Sequence, residues 1–410
     1  FIGVDDINDP SEGRLKIADA RSGEIRDALP ELGGHVMAFT WDGPGQVLAL
    51  VHRGVESELW AVDLASGSHE VRVGAGEKVL RRISRARDTG RVVAIADAPG
   101  HPPELYDLTV PRRLTDSNPW LAERELGRQT VLEYQARDGL NLQGLLIWPT
   151  NYRRGRDYPL VIFVHGGPES HRSNGWSTSY SQPAQVMAGE GYFSLIPNYR
   201  GSTGRGVAFS KLGQHAYATP EFDDIVDGKD HLVEEGLVDP DKVGITGGSY
   251  GGFATAWSAT ALTEHYAAGV MFVGVSNQLS KFGTTDIPNE MFLVHARAWP
   301  WDDWQFYLER SPVYHAEKSK TPLLIMHGDS DPRVHPAQSL EMYRYLKTVG
   351  QAPVRLVLYP GEQHGNRKAG ARYDYSRRLL RWMDHYLKGP GGEPPPYALD
   401  YTELLEGPTD

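Results

Sequence analysis

The chain has 410 residues, more than the roughly 250–300 at which a single hydrophobic core stops growing, so two domains are the default reading. Hydrophobic residues make up 40% and charged residues 23%, an ordinary globular composition, and no apolar run reaches the ~18 residues of a membrane span. A net charge of -11 argues against nucleic acid or anionic lipid as a partner, and the absence of cysteine excludes disulfides, a thiol nucleophile and Cys-ligated zinc while leaving the compartment, cytoplasm or periplasm, open.

Residues 1–118 read as short strands separated by Ser-Gly, Asp-Gly and Pro-Gly turns, which predicts antiparallel meanders. The stretch Leu59 to Gly67 echoes Leu15 to Gly23 at about the 40–45-residue length of one propeller blade. A partial β-propeller of two to three blades is therefore expected, with a small β-sandwich as the alternative. Closed propellers need at least about four blades, so the remaining blades are expected in a separate or preceding segment that associates with this one. Phe1 falls within strand-like sequence, without an initiator Met or a signal-peptide pattern, and any such segment is expected upstream.

From residue 119 the pattern changes. A hairpin, TVLEYQARDGLNLQGLLIWP, leads into alternating buried strands and amphipathic helices. The strands are PLVIFVHGG, GYFSLIPNYRG, KVGITGG, AAGVMFVGVSN, TPLLIMHGDSD and VRLVLYPGEQH; DIVDGKDHLVEEG, YGGFATAWSATAL, PAQSLEMYRYLKTVG and YDYSRRLLRWMDHYLKG are the helices. This order over 119–390 predicts an α/β class domain with a mostly parallel sheet covered on both faces, its chemistry at the carboxyl ends of the strands. Residues 391–410 are Pro-rich and acidic and are expected to form an extended or loosely ordered arm.

The sequence Gly247-Gly248-Ser249-Tyr250-Gly251 matches G-x-S-x-G between an apolar strand and a helix, the setting of a nucleophile elbow. A serine hydroxyl needs a base to take its proton and a carboxylate to orient that base, in the chain order Ser, acid, His. Asp331 and His364 each stand at the end of a predicted strand and so project from the same sheet edge as Ser249. Asp329 is the rival acid, whose side chain would otherwise brace its loop. Of 15 histidines, His327 lies inside an apolar strand and reads as a satisfied core residue, and His335 and His385 sit at or within helices. The oxyanion of an acyl-transfer intermediate needs N–H donors; Tyr250, at the helix start, and Gly167, in the His165-Gly166-Gly167-Pro168 loop, are the candidates. No zinc-protease, calcium-loop or P-loop pattern is present, so no metal or cofactor is expected.

Six motifs in order carry a family resemblance: HGGP (165–168), NYRGSTGRG (198–206), DDIVDG (223–228), VDPDKVGITGGSYGG (238–252), HGDSDPRVHPAQS (327–339) and GEQHG (361–365). Residues 130–388 resemble the catalytic domain of the prolyl oligopeptidase family of serine peptidases, in its acylaminoacyl-peptidase and dipeptidyl-peptidase-like branch. The resemblance implies an α/β-hydrolase fold under a β-propeller, a triad of Ser249, Asp331 and His364, and an oxyanion hole from Gly167 and Tyr250. Asp331-Pro332-Arg333 is similar to the family's Asp-x-Arg, which makes Arg333 a substrate-binding candidate; the alternative is a loop salt bridge with Asp329 or Asp331. Where some branches place Tyr, His165 stands here, a second candidate for the substrate side. The acidic pair with which dipeptidyl-peptidases grip a free substrate N-terminus is not identifiable in residues 1–118.

The aromatic segment from Met271 to Phe306 is expected to supply an apolar pocket for the residue before the scissile bond, Phe272 and Val275 among its residues. The reading is a serine peptidase acting on short peptides through an acyl-enzyme. A carboxylesterase with the same triad and a non-catalytic binding protein of the same fold are the alternatives, and a homo-oligomer is compatible with all three.

Overall fold

The computed structural model describes residues 1–76 and 78–402. The first part of the chain forms three antiparallel sheets in succession. The first pairs Ile2–Gly3, Arg14–Ala18 and Ile25–Asp27; the second is a meander of His35–Gly43, Gln46–Arg53, Glu56–Asp63 and His69–Val73; the third is a meander of Val79–Arg85, Val92–Ala98, His101–Asp107 and Arg112–Arg113.

Period-two alternation along Gln46–Arg53 explains how these sheets stack. Val47, Ala49 and Val51 pack with Leu15 and Leu29 of the first sheet, whereas Leu48 and Leu50 pack with Leu80, Ala94 and Ala96 of the third. A two-layer sandwich leaves the outer face of each sheet to solvent; here the middle sheet is apolar and covered on both faces, the arrangement of propeller blades. The two repeats seen in the sequence are one turn used twice. Asp19 Oδ1 accepts the N–H groups of Arg21 and Ser22, and Asp63 Oδ1 those of Ala65 and Ser66, before Gly23 and Gly67 turn the chain at φ +74° and +73°. Asp107 makes the same bonds to Thr109 and Val110, a third copy that the sequence reading missed. The three aspartates follow one another at about 44 residues, one blade length.

The second part is one eight-stranded sheet: β1 (Gln129–Gln135), β2 (Asn141–Ile147), β3 (Tyr158–Val164), β4 (Phe193–Asn198), β5 (Val238–Gly248), β6 (Ala268–Phe272), β7 (Leu323–Gly328) and β8 (Val354–Tyr359), in the order β1-β2-β4-β3-β5-β6-β7-β8. Pairing is antiparallel for β1 with β2 and β2 with β4, and parallel from β4 through β8. Parallel strands are buried on both faces, so β3 reads as the continuous apolar run YPLVIFV. Leu160, Ile162 and Val164 point into a core shared with α2 (Asp223–Glu234) and α3 (Tyr250–Thr260). Val161 and Phe163 point into the opposite core, beneath α1 (Ala184–Gly189) and α5 (Ala369–Leu387). Helix α4 (Ala337–Val349) follows β7. The architecture is an α/β-hydrolase fold preceded by propeller blades.

All three blade sheets rest on two loops of the hydrolase part. The Gly204 N–H donates to Glu12, Gly54 N–H to Gly204 O, Asn174 N–H to Val55 O, and Trp176 N–H to Asp97 Oδ1. At the far end, where an extended or loosely ordered arm is expected, the chain is docked as far as residue 402: Arg378 and Arg381 donate to the carbonyls of Tyr397 and Ala398, and Arg378 lies over the Tyr397 ring. Residues 403–410 of the expected arm lie outside the described residues.

Candidate active site

The turn between β5 and α3 is forced by close backbone approach. A side chain at Gly247 would meet Val164 O at 2.4 Å, and one at Gly251 would meet the same oxygen at 2.1 Å, so only glycine lets the helix start against β3. Between them Ser249 takes φ +60°, ψ -120°, a costly conformation for a residue with a Cβ. It is held by the Ser249 N–H bond to Phe272 O and by the helix bond from Phe253 N–H to Ser249 O. Its side chain makes no cap to the helix. The hydroxyl instead faces a cavity of about 370 Å³ that His364 also lines.

His364 Nδ1 lies 2.7 Å from Asp331 Oδ2. The carboxylate is fully buried and accepts two further bonds from the Arg333 and Val334 N–H groups through Oδ1. Burial alone would raise the Asp331 carboxyl, but bonds from His327 and His364 outweigh it and hold the group well below its ordinary value. Asp331 is therefore a permanent anion, and a neutral His364 presents Nδ1–H to it and leaves Nε2 as the basic nitrogen. The rival Asp329 is turned away, accepting from the Gly361 N–H and the Ser330 hydroxyl to brace its loop.

The His165–Pro168 loop runs over Ser249. A Cβ on Gly166 would stand 3.1 Å from Ser249 Cβ and 3.7 Å from its Oγ. Gly167 turns at φ +119°, and Tyr250 opens α3, where N–H groups lack intrahelical acceptors.

Other predicted site residues sit elsewhere. His165 is buried, with its imidazole on Ser202 Oγ (3.0 Å) and Gly166 O (2.9 Å) and its ring stacked on Tyr199 at 4.4 Å; it braces the loop from beneath rather than lining the cavity. Burial and Arg172 push it down to about 3, so it is neutral. Val275 is likewise in the core, and of the pocket pair only Phe272 lines the cavity. Arg333 Nε pairs with Asp286 at 2.6 Å on the surface, not with Asp329 or Asp331. Trp299 stacks on Phe292 and Trp301, apart from the cavity.

Among the described residues, one group has metal-ligand spacing, Glu169, Glu290 and His295. His295 already contacts Glu169 Oε1 (2.7 Å) and the Tyr217 hydroxyl (3.0 Å), and the Lys281 ammonium lies near both carboxylates.

Residues 177–390 match the sequence profile of the prolyl oligopeptidase family. The chain belongs to that family. Its similarity to an uncharacterized peptidase, YuxL, of Bacillus subtilis is 30% identity over 322 residues, 76% of this chain and 48% of the relative. Dipeptidyl aminopeptidase BIII of Pseudoxanthomonas mexicana is 35% identical over 301 residues, 71% of this chain and 42% of that one. The chain thus spans about half the length of these relatives. In fold it is similar to the acylaminoacyl peptidase of Pyrococcus horikoshii (TM-score 0.82, 24% identity, 97% of this chain and 61% of that one). It is also similar to a puromycin-hydrolyzing peptidase of Mycobacterium tuberculosis (TM-score 0.79, 24% identity, 93% and 60%).

Three features of this prolyl oligopeptidase family member escaped the sequence reading. His327 is a buried histidine, as expected, but it also holds Asp331: its Nε2 lies 3.2 Å from Asp331 Oδ2 and 2.8 Å from Val334 O, while Nδ1 faces the Ser339 hydroxyl at 2.6 Å. The segment 171–182 forms much of the cavity wall, with Arg81 of the third blade sheet beside it. Finally, His52 Nδ1 and His171 Nε2 meet at 2.9 Å across the junction of blades and hydrolase. Only the i, i+4 spacing of His327 and Asp331 was a local signal.

Proposed function

We propose that this chain carries the catalytic centre of a serine peptidase that cleaves short peptides through an acyl-enzyme. The observation that carries the reading is the 2.7 Å bond between His364 and Asp331 at a cavity shared with Ser249, whose hydroxyl rides on a strained elbow. In the first half-reaction His364 Nε2 takes the Ser249 proton while Oγ attacks the scissile carbonyl carbon. The oxyanion is received by the Gly167 and Tyr250 N–H groups. His364 then passes its proton to the departing nitrogen, the C–N bond breaks, and an acyl-serine ester and a free amine result. In the second half, water loses a proton to His364, attacks the ester, and the proton returns to Ser249 as the carboxylic acid leaves. Arg333, freed from Asp286, is proposed to steady the substrate main chain. The blade sheets, as part of a propeller, would exclude folded proteins, whether the remaining blades belong to the same polypeptide or to an associated one.

Names of relatives support the substrate class: a similar acylaminoacyl peptidase (25% identity) is known in complex with Z-Gly-Gly-Phe-chloromethyl ketone. The test is fluorophosphonate labelling of the protein and of Ser249→Ala, with turnover of acetyl-alanine p-nitroanilide and the matching p-nitrophenyl ester. Labelling lost in the variant and cleavage of both substrates are expected. Turnover of the ester alone would overturn the peptidase reading in favour of an esterase, and no labelling would favour a binding protein.

A further inference from the structure

The cavity at Ser249 is electrically one-sided. Its lining includes two guanidinium groups, Arg81 and Arg172, and among the described residues no carboxylate, in a chain whose net charge is -11. Arg81 is neutralised: Nε and Nη2 lie 2.7 and 3.1 Å from the two oxygens of Asp97. Arg172 is not. Among the described residues its side chain has no ion pair and no hydrogen bond, and its Nε is buried without an acceptor. Burial, with Arg81 nearby, holds the guanidinium below its ordinary value, although it stays charged at neutral pH.

The residue is also placed with care. Arg172 N–H donates to Asn198 Oδ1 at 2.7 Å and its carbonyl accepts from Asn198 Nδ2 at 2.8 Å, so the end of β4 grips the backbone on both sides. A half-buried, unpaired cation with one nitrogen lacking any acceptor, on a fixed backbone, is costly unless something anionic or strongly accepting visits it. His364 and Gly365 line this cavity together with Ser249, and His364 must reach the nitrogen that departs, which makes the leaving-group half of the substrate the guest considered for it. Hydroxyls of Ser173, Ser177 and Thr178 along the wall suit a polar, hydrogen-bonding guest.

We propose that Arg172 anchors a carboxylate on the leaving-group residue of the substrate. The inference rests on the peptidase reading above and adds the recognition element to it. A carboxylate has two sources, the free C-terminus of a short peptide or an acidic side chain, and a planar guanidinium accepts either in a two-bonded fork.

Binding separates this proposal from the catalytic one. Dissociation constants are measured calorimetrically on Ser249→Ala for acetyl-Ala-Leu, acetyl-Ala-Leu-amide and acetyl-Ala-Asp-amide, then repeated with Arg172→Gln and Arg172→Lys added. At least one carboxylate ligand is expected to bind about tenfold or more tighter than acetyl-Ala-Leu-amide. Preference for acetyl-Ala-Leu identifies the C-terminus as the source, and preference for acetyl-Ala-Asp-amide the side chain. Arg172→Gln should abolish the preference and Arg172→Lys retain part of it. Equal affinities for all three ligands, or a preference that survives Arg172→Gln, would overturn the proposal. Failure of the peptidase reading would show separately, as absence of fluorophosphonate labelling and of peptide turnover in the unsubstituted protein.

Discussion

Replacing His52 by Gln removes a titratable group from the junction between blades and hydrolase while keeping its hydrogen bonds. In the structure His52 Nε2 donates to Leu80 O at 2.9 Å and Nδ1 accepts from His171 Nε2, whose Nδ1 in turn accepts from the Thr203 hydroxyl at 2.8 Å. With both imidazoles neutral every contact in this chain is satisfied. Burial, then Arg81 and His35, push His52 from 6.5 down to about 4, against the opposing pull of Leu80 O and Asp97. A base with a lowered folded value is stabilising only while it stays neutral. Between pH 6.5 and 4 the unfolded chain binds a proton at this site and the folded protein does not, so stability rises with pH across the window. The slope approaches ~1.4 kcal/mol per pH unit, and the total is ~3 kcal/mol. Above pH 6.5 neither state carries the proton, and below 4 both do, so the contribution is flat outside the window. Urea unfolding midpoints of the native protein and of His52→Gln, at several pH values from 4 to 7.5, measure it. The variant's stability should fall by ~3 kcal/mol less over that range. Parallel curves for the two proteins would refute the buried-neutral account of this junction.

Two further outcomes follow from the geometry at Ser249 and Asp331. In Asp331→Asn, if Oδ1 keeps the Arg333 and Val334 N–H bonds, an amide NH₂ faces His364 Nδ1 and the His327 N–H, forcing the wrong tautomer of the base. A kcat loss on the order of 10⁴ with a folded protein by thermal unfolding is expected, and a loss under tenfold would remove Asp331 from the mechanism. In Gly166→Ala the new methyl meets Gly248 O at 2.9 Å and Ser249 Cβ at 3.1 Å, and relief must move the elbow or the loop bearing Gly167. The expected result is a kcat/KM loss on the order of 10² with little change in melting temperature; wild-type kinetics would show that the loop yields without disturbing the donors.

Much of the site was legible because its signals are local. The elbow needs glycine at 247 and 251 for backbone clearance, and Asp331 and His364 stand where apolar strands end, so pattern and spacing within about ten residues suffice. The blade repeat was legible for the same reason, through an Asp turn and a left-handed glycine. His165 and Val275 were misjudged because a motif names a residue's neighbours in sequence but not which way its side chain turns. Arg333 had nearby acids to suggest a partner, yet its charge is taken by Asp286, 47 residues away.

What the sequence by itself determined is the scaffold of the candidate site: a Ser, Asp, His order on strand ends, a glycine-walled elbow, a sheet apolar on both faces and an acidic chain free of cysteine. Only the tertiary structure decided which charges are paired and which are left over. His52 meets His171 across 119 residues, and Arg81 is claimed by Asp97 while Arg172 keeps its charge in the cavity. Backbone conformation is set by neighbours along the chain, whereas the balance of a buried charge is set by whatever the fold brings within a few ångströms of it.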